Sequence, residues 1–181
     1  MTVTDIFVND HDIKVHHTKN EWYFSINEKK INHEELKLIF EIASNCNTAV
    51  LPNMGDPTEL ALLDVSLHGK VKGDKKKIWE IPFNSETKFM ITQHEGIEYL
   101  KWSPEVVLSK CTHIHINDKI IELTNYEKQK ILAKNTEMAS KALRILWFAY
   151  KTKEKNFIFV GLMGMIDPPR PEVYEALAMC Q

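Results

Sequence analysis

In "YLKWSPEVVL", residues 99–108, a lysine stands between an apolar run and a tryptophan, an arrangement suited to an anion-binding corner. Lys101 falls at the end of a predicted strand. Ser103-Pro104-Glu105 behind it opens a predicted helix, whose unpaired backbone N–H groups favour negative charge. A phosphate or carboxylate suits such a corner; the competing reading is a lysine that snorkels off an edge strand. Other candidates weigh less. Five lysines surround Gly73 between Lys70 and Lys77, but no Gly-Lys-Ser/Thr is present, so the phosphate-loop pattern fails and a solvated loop is expected. His113 and His115 share one side of a predicted strand and could ligate a metal, yet no third ligand stands at suitable spacing and no metal site is expected. No Ser-His-Asp, Cys-His or paired-carboxylate arrangement can be argued from spacing.

The elements that would position these residues follow from periodicity and turn chemistry. "MTVTDIFV" alternates as a half-buried strand does, Asn9 to Asp12 supply turn residues before "IKV", and "WYFSI" (Trp22–Ile26) is a further strand. Asn32 and Glu35 fit an N-cap and its N3 partner for a helix to about Cys46, with Leu36, Ile39, Phe40 and Ala43 inward. After the loop "NTAVLPNMG", Asp56 caps a second helix with Pro57 at N1, Glu59 at N3, Leu60, Leu63 and Leu67 inward, and Gly69 at its exit. Short strands at 77–83, 88–93 and 97–102, joined by short turns, should pair antiparallel. A short helix through Ser109 comes next, then strands "HIHI" and "KIIEL" split by Asn117-Asp118, and a helix from Asn125 to about Lys141 opened by Thr124 and Glu127. "ALRILWFAYK" and "FIFVGLMGMID" complete the strands, and a helix is expected after "DPPRPEV". Hairpins and helices without regular strand–helix alternation predict an α/β (α+β) fold, a mainly antiparallel central sheet flanked by helices.

Composition narrows the function classes. The 181 residues are 44% hydrophobic, enough for one ordinary core, and one globular unit spanning 1–181 is expected. A formal charge of −2 gives no overall basic field, so nucleic acid is not an expected partner. Cys46, Cys111 and Cys180 form no CxxC and read as reduced thiols. The longest apolar run, Phe157–Ile166, is about half a membrane span and no signal peptide is visible, so the chain as given reads as soluble, and it is expected to be monomeric.

Several fragments together resemble the nucleotide-binding domain of P-type cation-transporting ATPases, of the calcium and sodium-potassium kind, in order and at similar spacing. "GDPTELAL" is similar to that family's Gly-x-x-Thr-Glu-x-Ala-Leu, and "PFNSETKFM" to its Phe-(Ser/Asn)-x-x-x-Lys-x-Met. "KWSPE" stands where Lys-Gly-Ala-Pro-Glu is usual, and "ALRILWFAYK" resembles Gly-Leu-Arg-x-Leu-x-x-Ala-x-Arg/Lys. "VGLMGMIDPPRPEV" resembles Gly-x-x-Gly-x-x-Asp-Pro-Pro-Arg-x-Glu-Val, the most specific of the set, and "MTVTDIF" resembles the stretch just downstream of the phosphorylation motif. The resemblance covers almost the full length. It implies an antiparallel sheet flanked by helices that holds ATP, as MgATP in the parent protein, and carries it toward an aspartate of a phosphorylation domain. It further implies that Phe83 stacks on adenine, Glu59 accepts from its amino group, Lys88 and Lys101 line the pocket near the base and α-phosphate, and Arg144 meets the phosphates. Asp167, Pro168, Pro169 and Arg170 would form the hinge, with about 1–8 and 166–181 as flanks to the phosphorylation domain.

Two departures bear on the pocket: Trp102 and Ala142 stand where the family has glycine. A tryptophan there either narrows the pocket, adds a second aromatic wall to it, or turns away from it. The family's Asp-Lys-Thr-Gly-Thr, Thr-Gly-Glu and Asp-Gly-x-Asn-Asp motifs and its membrane helices are not in this sequence. The resemblance therefore implies a cytoplasmic ATP-binding domain of a membrane-embedded parent, working with the phosphorylation and actuator domains of that parent and unable to turn over ATP alone. The rival readings are a stand-alone regulatory or interaction module that keeps the fold without nucleotide, and an independent nucleotide hydrolase.

Overall fold

The computed structural model describes residues 1–18, 21–152 and 156–167. In chain order the elements are β1 (Thr2–Val8), β2 (His11–His17), β3 (Trp22–Ile26), β4 (Lys29–Lys30), a turn of 3-10 helix (His33–Leu36), α1 (Lys37–Asn45), α2 (Pro57–His68) and β5 (Trp79–Ile81). They continue with β6 (Phe89–His94), β7 (Ile97–Trp102), α3 (Pro104–Lys110), β8 (Cys111–Ile116), β9 (Lys119–Glu122), α4 (Asn125–Ser140), β10 (Arg144–Thr152) and β11 (Phe157–Ile166). The sheet runs in the order β4-β3-β2-β1-β11-β10-β7-β6-β5, with β8 and β9 attached through β11. Along that path every pairing is antiparallel. The β8–β11 pair is parallel, a departure from the hairpin pattern that follows because α3 returns the chain before β8 starts.

The centre of the sheet is buried on both faces, which explains the continuous apolar runs of its strands. Along β10, Leu146, Phe148 and Tyr150 join one core with α1 and α2, while Trp147 and Ala149 join a second core with residues of α3 and α4. The two cores are the two sides of one pleat, so alternate residues of a single strand serve different cores.

Three hairpins close on two-residue turns with positive φ at both positions: Asn9-Asp10, Asn27-Glu28 and Asn117-Asp118. Such turns match the right-handed twist of the flanking strands. The first is tighter than the expected Asn9–Asp12 turn, since His11 and Asp12 already belong to β2, and the second adds the short β4, which periodicity over two residues cannot show. The Asn32 side chain accepts from the Glu34 amide and begins 3-10 helix, so α1 proper starts only at Lys37.

Asp56 caps α2 as expected, its carboxylate accepting from the Thr58 amide at 2.8 Å, with Pro57 behind it. The inward face of α2 is corrected. Thr58, Ala61, Leu62, Val65 and Ser66 are buried, whereas Leu60 and Leu63 are half-buried and Leu67 is 42% exposed. Small residues let this face approach the neighbouring helix closely: a Cβ on Gly69, at the end of α2, would lie 2.3 Å from the Phe40 ring of α1. Gly69 thus serves contact and not a left-handed exit, which Lys70 provides with φ 60. Among the described residues no helix is long and apolar enough to cross a membrane.

Candidate functional site

A cavity of about 570 Å³ opens where the N-terminus of α2, the C-terminal end of β7, the start of β10 and the segment after β5 meet. Glu59, Phe83, Lys101, Trp102 and Arg144 all line it, although up to 85 residues separate them, as from Glu59 to Arg144. Strand pairing brings them together: Lys101 lies opposite Met90 on β6 and Phe148 on β10, and Trp102 opposite Phe89 and Trp147. Lys88 does not line the cavity; it is exposed, takes φ 54, and donates its amide to the Asn84 carbonyl at 2.7 Å. Its place in the turn that begins at Asn84, and its positive φ, are set by the folded backbone and not by motif spacing.

Lys101 is therefore not an edge-strand lysine. Its strand has partners on both sides, its side chain is 1% exposed, and its ammonium lies 2.7 Å from Glu59 Oε1. Glu59 is in turn held by the Thr48 hydroxyl (2.6 Å) and the Thr48 amide (3.1 Å), both donating to Oε2. Glu59, Leu62 and Ser66 fall at i, i+3 and i+7, so the corrected face of α2 is what aims this carboxylate at β7. Thr48 is a member of the site that sequence reasoning missed. It belongs to a loop that periodicity leaves blank, and its contact with Glu59 appears only when that loop folds back on α2.

Burial alone raises the Glu59 carboxyl, but the charge and hydrogen bond of Lys101, with the two bonds from Thr48, outweigh it and hold the group below its ordinary value of 4.5. A carboxyl lowered in the folded state contributes stability above its unfolded value, and that contribution disappears as pH falls through the lower folded value. Urea unfolding followed from pH 6 to pH 3 should accordingly show a shallower loss of stability in Glu59→Gln than in the wild type; parallel curves would remove Glu59 from the acid response.

Arg144 opens β10, is exposed, and donates from Nη1 to Thr58 Oγ1 at 3.2 Å. Two residues earlier Ala142 takes φ 59, the left-handed backbone that favours glycine. Phe83 is 45% exposed and stacks on Trp102, ring centroids 3.7 Å apart and planes inclined by 23°. Trp102 thus faces the cavity and covers one face of Phe83. Ser103 Oγ is buried at the cavity wall with no hydrogen-bond partner among the described residues, and it makes no cap bond to α3. A buried hydroxyl left this way is a group that a ligand can satisfy.

The remaining candidates lie elsewhere. His113 is exposed and shares a 2.8 Å hydrogen bond with Thr112 Oγ1, while His115 Nδ1 lies 3.0 Å from the Tyr150 hydroxyl. Asp167 follows β11 and is exposed; Pro168, Pro169, Arg170 and the expected terminal helix lie outside the described residues. The chemistry the cavity offers is therefore an aromatic pair, a buried Lys–Glu pair, an exposed guanidinium and a spare hydroxyl. Together they suit a ligand with a planar head and an anionic tail.

Comparison with known proteins bears directly on this geometry. The family described as P-type ATPase, cytoplasmic domain N, matches residues 35–172. Calcium-transporting ATPase 1 of Bacillus cereus is 35% identical over 92% of this chain and 21% of its own length. Calcium-transporting ATPase 1 of Lactococcus lactis is 32% identical over 82% of the chain and 20% of its length. The sodium/potassium-transporting ATPase subunit alpha-B of Artemia franciscana is 31% identical over 80% of the chain and 19% of its length. This chain spans about a fifth of the length of these relatives. With the family match running through most of its length, and with a mainly antiparallel sheet flanked by helices, the chain belongs to the P-type ATPase cytoplasmic domain N family.

Proposed function

We propose that this domain binds ATP in the cavity between α2, β7 and β10, and that within a longer P-type cation-transporting ATPase it presents the γ-phosphate to an aspartate of the phosphorylation domain. The observation that carries this reading is the convergence of Phe83, Glu59, Lys101 and Arg144 on one cavity of about 570 Å³, a size that suits a nucleotide. In this reading Phe83 and its neighbour grip the base, Glu59 accepts from the exocyclic amino group, and Arg144 meets the phosphate tail. Lys101 fixes Glu59 and adds positive potential beneath the ligand. Lys88 stands outside the cavity and contributes only as a nearby exposed charge.

Transfer itself needs the aspartate and the magnesium ion of the parent protein, with the phosphorylation and actuator domains as partners. This domain supplies position, which together with charge neutralisation is most of what phosphoryl transfer requires. Names of relatives that move calcium or sodium and potassium support a cation as the parent's cargo.

The affinity should be low. Stacking contributes ~1–3 kcal/mol and a charge-assisted hydrogen bond ~1.5–3 kcal/mol, against an association cost of about 4–15 kcal/mol. The small surplus corresponds to a dissociation constant on the order of 0.1–1 mM. A titration of the purified domain with ATP, read by amide chemical shifts, should saturate in that range and displace resonances around the cavity. Phe83→Ala and Arg144→Ala should each weaken it by at least about fivefold, the lower end of ~1 kcal/mol or more per lost contact. Unmoved resonances at several-millimolar ATP would favour the rival reading, a module that keeps the fold without nucleotide, for which the closed Phe83–Trp102 stack is the supporting observation.

A further inference from the structure

We infer that Trp102 is a base-recognition residue of this domain: a fixed aromatic platform on which Phe83 closes like a flap, so that a purine is held between the two rings. The inference rests on the nucleotide reading above and adds to it a residue and a motion.

The rings are in contact, with centroids 3.7 Å apart, so no base can lie between them without one ring moving. The two rings differ in how firmly they are held. Trp102 closes β7, its backbone paired with Phe89 of β6 and Trp147 of β10, and its side chain packs against the core that α1 and α2 share with the sheet. Turning the indole away would forfeit that packing. Phe83 has no such support: it stands beyond the end of β5, outside any strand or helix, and is 45% exposed. Phe83 is therefore the ring that moves, and the surface it uncovers is the indole.

The uncovered indole is continuous with the rest of the site. It follows Lys101, whose ammonium holds Glu59, and precedes Ser103, whose buried hydroxyl has no partner among the described residues. A base on this platform lies beside a carboxylate that accepts from an exocyclic amino group and near a hydroxyl able to donate or accept. Every nucleobase has a π-face, so the platform supplies grip, and the polar neighbours supply discrimination. Stacked on each other, the two rings shield apolar surface from water, a contact that a base inserted between them would replace.

The test compares the wild type with Trp102→Gly, which restores the family's residue, and with Trp102→Phe, which keeps a ring. Each is titrated with ATP and, separately, with inorganic tripolyphosphate, following the Trp102 indole N–H and the backbone amides. Thermal melts confirm that the variants are folded. ATP should move the indole resonance in the wild type, bind about tenfold more weakly to Trp102→Gly, and bind Trp102→Phe within about threefold of wild type. Tripolyphosphate should bind all three alike, because it lacks a base. If the wild type binds ATP and Trp102→Gly binds it equally or more tightly, the platform is wrong, the indole is an obstruction, and the nucleotide reading survives. If no variant responds to ATP, both readings fail together.

Discussion

Lys101→Ala should lower the free energy of unfolding by about 3–5 kcal/mol, the range for breaking a buried ion pair by removing one partner. The lysine is 1% and the glutamate side chain 12% exposed, and their charged atoms are 2.7 Å apart. Removing the ammonium leaves the Glu59 carboxylate beneath the sheet with only Thr48 to satisfy it. The loss therefore reflects an uncompensated charge more than the worth of the pair. Lys101→Met combined with Glu59→Gln should recover at least half of it, since glutamine keeps an acceptor for Thr48 and neither residue is charged. Urea unfolding of Lys101→Met, Glu59→Gln and the double variant measures the coupling. Purely additive losses, or a single-variant loss under about 1 kcal/mol, would mean that the pair is solvated and that Lys101 is free to meet a ligand directly.

Trp147→Ala should cost a comparable amount, about 3–5 kcal/mol. Trp147 is fully buried and packs in a tilted arrangement on Phe159 with ring centroids 5.3 Å apart. Its indole N–H donates to Asn135 Oδ1 of α4 at 2.9 Å. The substitution opens a cavity between sheet and helix and also strips Asn135 of its partner. Because Trp147 is the register partner of Trp102 and lies three residues after Arg144, the loss should also loosen the site. Hydrogen exchange is expected to rise in α4 and at the start of β10, with α1 little changed. Trp147→Phe separates the two contributions: it keeps most of the ring volume and gives up the hydrogen bond, for a loss of about 1–3 kcal/mol. A loss below about 1 kcal/mol for Trp147→Ala would contradict the burial on which this expectation rests.

Local patterns carried much of the architecture because each reports a property of a few neighbouring residues. Asp56-Pro57 marks the start of α2 through a cap bond two residues away, and Asn117-Asp118 marks a hairpin because its tight turn needs two residues with positive φ. The continuous apolar run Phe157–Ile166 marks β11, whose two faces enter different cores. Patterns failed where the deciding contact was distant. The spacing of Leu60, Leu63 and Leu67 predicts one buried stripe of α2, yet Thr58, Ala61, Leu62, Val65 and Ser66 face inward, a choice made by packing against α1, which Gly69 meets at Phe40. The two residues of β4 are too few for any period, and only the β3 edge beside them makes a strand.

The site divides along the same line. Motifs scattered along the chain point to Glu59, Phe83, Lys88, Lys101, Trp102 and Arg144, but motif spacing does not record where residues meet, and all but Lys88 line one cavity. That Lys101 is buried against Glu59, that Thr48 folds over to hold the same carboxylate, that Lys88 lies outside the cavity lining and that Phe83 rests on Trp102 were decided only in three dimensions. Cap and turn preferences, and the alternation of a strand, are energies summed over a few neighbouring residues and can be read in order along the chain. A buried charge or a stacked ring is set by whichever group the folded sheet places beside it, and that neighbour is dozens of residues away in sequence.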